Sequence, residues 1–171
     1  MRSIVIGSAI MALGVITLLG GTQEASDAGA AASSAPTFEL ITSVGEAVSN
    51  ASVKGKPTLL VFWAPWCKVC QKELPELAAF HQREKPAHLR MVSIGFADLR
   101  SNVEAFVDAH RELFVFPTAF DEDRWVAQAF KVTVTPTYVA LDSEGRIALI
   151  HRGGGILHNW QFHEFLAASK G

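Results

Sequence analysis

"TLLVFWAPWCKVC", residues 58–70, holds the chain's only two cysteines. Residues 58–64 form a continuous apolar run with β-branched and aromatic side chains, the pattern of a strand buried on both faces. Beyond it, Cys70, Leu74, Leu77, Ala78 and His81 recur at spacings of three and four. That predicts a helix starting around Cys67 with those residues on one face. Pro75 is expected to kink the helix, because it lacks a backbone donor and crowds the preceding turn. Cys67 thus follows a buried strand directly and opens a helix, with Cys70 one turn on.

Working outward, "FELITS" (38–43) reads as a short strand and "NASVKGKPT" (50–58) as a turn-rich connection. "LRMVSIGF" (89–96) is the next buried strand, and "NVEAFVDAHREL" (102–113) an amphipathic helix. "FVFPTAF" (114–120) reads as a short extended piece, and "DEDRWVAQAF" (121–130) as a helix with an aspartate cap. In "TPTYVALDSEGRIALIHRGG" (135–154) two apolar runs flank "DSEG", a hairpin turn. "NWQFHEFLAAS" (159–169) is a closing helix. The order strand–helix–strand–helix–hairpin–helix predicts an α/β domain over 36–171. It has a mixed central sheet, helices on both faces, and a C-terminal β-hairpin plus helix.

Residues 1–22 are different. Arg2 is followed by an apolar stretch from about Ser3 to Leu19, with no further charge until Glu24. It is longer than a signal core of roughly 7–15 residues and slightly short of the roughly 20 that span a bilayer. It reads as a signal peptide or an N-terminal membrane anchor through residues 3–19, with a small-residue linker over 23–35. Either reading, with Arg2 held in the cytoplasm, exports the rest, to the periplasm in a Gram-negative cell. The formal net charge of −2 and the absence of like-charge runs exclude a nucleic-acid partner.

Two exported cysteines can staple, grip a metal or react. A disulfide staple acts mainly by closing a long loop in the unfolded chain, and this pair closes almost nothing. A structural zinc site needs four ligands, and there is no second cysteine pair. Copper accepts fewer, but none of the six histidines (81, 88, 110, 151, 158, 163) lies within ten residues of the cysteines. Reaction is favoured. At a helix start, free amides and the dipole favour thiolate at Cys67, and thiolate is the nucleophile of disulfide exchange. Cys70, expected to be partly buried, is close enough to attack a mixed disulfide and release the substrate.

"VTVTPTYVAL" places Pro136 just before a strand, where proline is normally poor. Two readings stand: a cis Thr135–Pro136 bond turning Thr135 toward the cysteines, or a trans proline starting an edge strand. In the first, the free backbone of Thr135 pairs with an extended substrate chain.

"FWAPWCKVCQKELP" (62–75) and "VTPTYVALDSEGRI" (134–147) together resemble the thioredoxin superfamily, and within it the exported TlpA/ResA/DsbE-like branch. The resemblance covers about 36–171. It implies a thioredoxin fold with Cys67 attacking, Cys70 resolving and Pro136 in cis. Trp63, Pro65, Trp66, Glu73 and Pro75 match the branch. Val61 stands where the resemblance leads one to expect a buried acid in classical thioredoxins. Glu73 matches the acid that membrane-linked reductases carry beyond the second cysteine, with a role in thiol protonation or proton relay; a solvated helix acid is the plain alternative. Lys68-Val69 between the cysteines and Thr135 before the proline depart from the common pattern. Lys68 favours a nearby thiolate and Glu73 opposes it.

The expectation is an exported thiol:disulfide oxidoreductase that reduces protein clients through Cys67/Cys70. Trp66, Lys68 and Glu73 support the dithiol, and Thr135 and Pro136 bind substrate. Its only redox group is the Cys67–Cys70 disulfide itself, with no metal. Its partners are a protein disulfide client, apocytochrome c among those open, and a membrane electron donor that restores the dithiol. The rival readings are the oxidising direction and a copper- or haem-handling chaperone using the thiols as ligands.

Overall fold

In the computed structural model, residues 33–169 are described, with residues 84–87 described by backbone alone. The apolar segment 3–19 and most of the linker lie outside them. All described residues belong to one compact unit, Ala31–Gly171. No helix among them is long and apolar enough to cross a membrane.

The 58–64 run forms β4 (Thr58–Trp63), and all six of its residues are buried. It pairs in parallel with β5 (Arg90–Phe96) and antiparallel with β7 (Thr137–Leu141). The sheet continues outward through β6 (Thr118–Asp121) on one side. On the other side come β8 (Arg146–Arg152) and β1 (Ser33–Ser34), giving the order β1-β8-β7-β4-β5-β6. β1 lies inside the stretch read as linker and pairs antiparallel with β8.

Because successive strand side chains alternate faces, β4 feeds two cores. Leu59 and Val61 pack with α1 (Lys68–His88) and α4 (Trp160–Ala168) through Leu77, Phe80, Phe162 and Phe165. Leu60 and Phe62 face the other way, against α3 (Trp125–Ala129) and a small antiparallel pair, β2 (Glu39–Ile41) with β3 (Ala47–Ser49). Helices therefore cover both faces, as the sequence predicts. α1 runs through Pro75 as one element.

Three expectations are corrected in detail. β3 goes unanticipated: Gly45, at φ +81°, makes the turn that lets the chain fold back on "FELITS". α2 (Arg100–Ala109) starts two residues earlier and ends before "HREL". His110 closes it by stacking on Phe106, ring centroids 4.2 Å apart, with Nδ1 2.9 Å from the Phe106 carbonyl. α3 is a five-residue helix, because Asp121 ends β6 rather than opening a helix. The aspartate cap exists nonetheless: buried Asp121 accepts the Val126 and Ala127 amides at 3.2 and 2.7 Å.

His81 packs edge-on to Phe116 at 5.5 Å, as the helical spacing anticipates. Burial, and secondarily Lys56, lower its pKa from the ordinary 6.5. The unfolded chain then binds this proton more readily than the folded one, so its contribution is intact above 6.5 and is lost as the pH falls. Native protein is expected to lose thermal stability between about pH 7 and pH 5, and His81→Phe to lose less across that range. Parallel melting curves would count against the assignment.

Candidate active site

β4 delivers the chain to Cys67 through a tight turn in which the Ala64 carbonyl accepts the Cys67 amide at 3.1 Å. Cys67 is the N-cap of α1, with φ −76° and ψ 103°, and its sulfur accepts the Cys70 amide at 3.1 Å. An N-cap is ordinarily an oxygen from Ser, Thr, Asp or Asn. With sulfur in that place, a donor and the positive end of the helix dipole bear on Cys67 Sγ, and both stabilise negative charge there.

The two cysteines are joined as a disulfide, Cα atoms 5.2 Å apart. Both are buried, Cys67 at 5% and Cys70 at 3% exposure, in a cluster with Trp63, Ala64, Val103 and Phe120. Exposure therefore does not set the two sulfurs apart in this oxidised form. Position does: Cys67 caps the helix and Cys70 lies within its first turn. Trp66, Val69 and Val134, at 57%, 47% and 46% exposure, are apolar side chains left open on the active-site helix entry and the proline loop. Trp66 is held by donating Nε1–H to the Ala97 carbonyl at 3.2 Å. Lys68 is exposed beside Cys67.

The Thr135–Pro136 bond is cis, which decides between the two sequence readings. Thr137, the residue after Pro136, pairs with Phe62, five residues before Cys67. The Pro136 carbonyl accepts the Gly153 amide at 2.8 Å, and the Val134 carbonyl accepts the Thr137 hydroxyl at 2.7 Å. The backbone of Thr135 makes no hydrogen bond among the described residues, and it lines the same groove as Trp66.

Glu73 is half-buried, not a solvated helix acid. Its carboxylate accepts the Tyr138 hydroxyl through Oε2 and the Gly155 amide through Oε1. Tyr138 is the cross-strand partner of Val61, so the helix acid is tethered to the strand neighbour of the position that carries no acid. Burial first, then its hydrogen bond to Glu73, raises the Tyr138 pKa strongly, so the phenol stays a donor. The backbone at Gly154 closes over this group: a Cβ there would lie 2.5 Å from Glu73 Oε1 and 2.8 Å from Val69 Cγ1. Sequence reasoning missed Tyr138 and Gly154. The available signal was the chain's single tyrosine, set in the run "TYVAL".

Among the described residues, no three His, Cys, Asp or Glu side chains converge where a metal could be held. His151 and His163 bond instead to the carbonyls of Gly154 and Leu157, each at 2.9 Å.

A disulfide-bonded cysteine pair at the opening of a helix, with a cis-proline loop on this sheet, defines a thioredoxin-like thiol:disulfide oxidoreductase. The chain belongs to the AhpC/TSA family, whose model matches residues 31–150. It is similar to the thiol-disulfide oxidoreductase ResA of Bacillus subtilis, 30% identical over 121 residues, which cover 71% of this chain and 66% of ResA. The sporulation thiol-disulfide oxidoreductase A of the same organism is 29% identical over 141 residues, covering 81% of this chain and 82% of that protein. A crystal structure of a DsbE-type thiol:disulfide interchange protein from Chlorobium tepidum superposes with TM-score 0.72 at 23% identity, over 82% of this chain and 97% of that one; this likeness bears on fold alone.

Proposed function

We propose that this protein is exported and reduces disulfides in protein clients. The observation that carries the exchange chemistry is Cys67 as N-cap, its sulfur accepting the Cys70 amide. The reading starts from the reduced pair. Cys67 thiolate attacks one sulfur of a client disulfide, forming a Cys67–client disulfide and expelling the other client sulfur as thiolate, which takes up a proton. Cys70, as thiolate, then attacks Cys67 Sγ, closing the Cys67–Cys70 bridge and expelling the second client thiolate. Two electrons pass to the client, and a dithiol donor at the membrane returns the pair to its reduced state.

The unpaired Thr135 backbone and the open Trp66 and Val134 side chains support a client lying extended across the site. The apolar segment 3–19 supports export. Direction is tested by the reduction potential of the pair. A value below that of protein disulfide isomerase, about −180 mV, is expected; one well above it assigns the oxidising direction instead.

A further inference from the structure

Beside Trp66 lies a groove of about 390 Å³ whose lining includes Trp66, Phe96, Ala97, Arg124, Val132 and Thr135. Its walls are unequal in chemistry. The Trp66 indole, pinned to the Ala97 carbonyl, stands on one side, buried Phe96 and half-buried Val132 contribute apolar surface, and Thr135 offers an unpaired backbone. Arg124 is the cation of the lining. It is exposed and forms no ion pair among the described residues.

None of the three acids preceding Arg124 forms an ion pair with it among the described residues. Asp121 is committed to the Val126 and Ala127 amides, Glu122 pairs with Arg100 at 3.7 Å, and Asp123 is exposed and unpaired. The Arg124 backbone is also fixed. Its amide donates to the Asp121 carbonyl at 3.1 Å and its own carbonyl accepts the Gln128 amide at 2.9 Å, holding φ at +56°. A guanidinium carried on a fixed backbone in the lining of an apolar groove that starts at the reacting loop is complementary to an apolar residue next to a carboxylate.

We propose that this groove binds the client segment flanking the reacting cysteine, and that Arg124 selects clients carrying an acidic side chain there. The inference rests on the oxidoreductase reading. It deepens that reading by naming the client class: apolar-acidic peptide beside the disulfide.

The test uses the reduced Cys70→Ser protein, so that only the first exchange step is read. Its probes are peptides of about nine residues with a central cysteine disulfide-bonded to an aryl thiol. Each contains leucine, and glutamate, glutamine or lysine is scanned through the flanking positions. Cys67 thiolate attacks the peptide sulfur, the Cys67–peptide bond forms, and the aryl thiolate leaves with the electron pair and is measured by its absorbance. At the best position, glutamate is expected to react about threefold faster than glutamine and about tenfold faster than lysine, the scale of a partly exposed ion pair at low salt.

Arg124→Asn, a residue that tolerates the left-handed backbone, is expected to erase the preference. Arg124→Glu is expected to reverse it. Should glutamate and lysine differ by less than about twofold at every position, or the preference survive in Arg124→Asn, the groove assignment fails while the exchange reading stands. Release from no peptide at all would overturn both.

Discussion

Cys67→Ser protein is expected to reduce no client disulfide, a fall of at least about a thousandfold, on the scale of removing a catalytic nucleophile. Serine still fills the N-cap and accepts the residue-70 amide, so the helix start keeps its hydrogen bond and the fold its stability. What disappears is the thiolate, because an alcohol at that site does not ionise near neutral pH and cannot displace a sulfur. Cys70→Ser separates the two steps. The first attack proceeds, the resolving attack does not, and a Cys67–client disulfide accumulates. Thiol release from an oxidised client, with mass spectrometry of the adduct before and after added reductant, reads both. Substantial turnover in Cys67→Ser, or an adduct on Cys70 in preference to Cys67, would reverse the assigned roles.

The electrostatic contest at the pair looks different once burial is known. In sequence, Lys68 favours thiolate and Glu73 opposes it, and one pKa unit either way is about 1.4 kcal/mol, or roughly 30 mV. In the structure Lys68 is exposed, where water and salt weaken its field. Glu73 is half-buried and fixed by Tyr138 and the Gly155 amide, on the helix that carries both cysteines. Of the two charges, Glu73 is the one that the fold holds in place. Tyr138 and the Gly153–Gly155 loop set where its charge sits.

What the sequence made legible follows from how local each signal is. β4, α1 and the β7–β8 hairpin each rest on a contiguous pattern: a six-residue buried run, an apolar face at helical spacing, and a turn in which Asp142 accepts the Glu144 and Arg146 amides at 3.0 and 2.8 Å. The cysteine pair is legible for the same reason, whereas the stretch around Pro136 leaves cis and trans both open and only the family resemblance implies the cis bond that is found. The Glu73–Tyr138 bond was not, because it joins residues 65 apart and depends on β7 lying beside β4. The groove at Arg124 was invisible too. Its lining comes from β5, α3 and four separate connections, and the acids around Arg124 suggest a longer helix that the Asp121 strand end cuts short. β3 was missed because three residues of moderate polarity become a strand only by pairing with β2 over the sheet.

Phe62→Ala is expected to cost about 3–5 kcal/mol of folding stability, the range for emptying a buried aromatic site. The side chain is fully buried, and its ring centroid lies 6.0 Å from those of both Phe96 and Phe130. It therefore ties the central strand to its neighbour β5 and to the α3 end. Alanine leaves a cavity between elements that the hydrogen-bonded sheet holds apart, so the walls cannot close on it. In a domain of this size the loss lowers Tm by roughly 10 °C. Activity per folded molecule should change far less, since Phe62 points away from the face that carries Leu59, Val61 and α1. Chemical denaturation of the oxidised protein, with exchange rates measured well below the melting transition, distinguishes the two effects. A midpoint shift corresponding to under about 1 kcal/mol would mean that the Phe62 site collapses freely, and that β4 is held in place by its strand pairing rather than by this aromatic cluster.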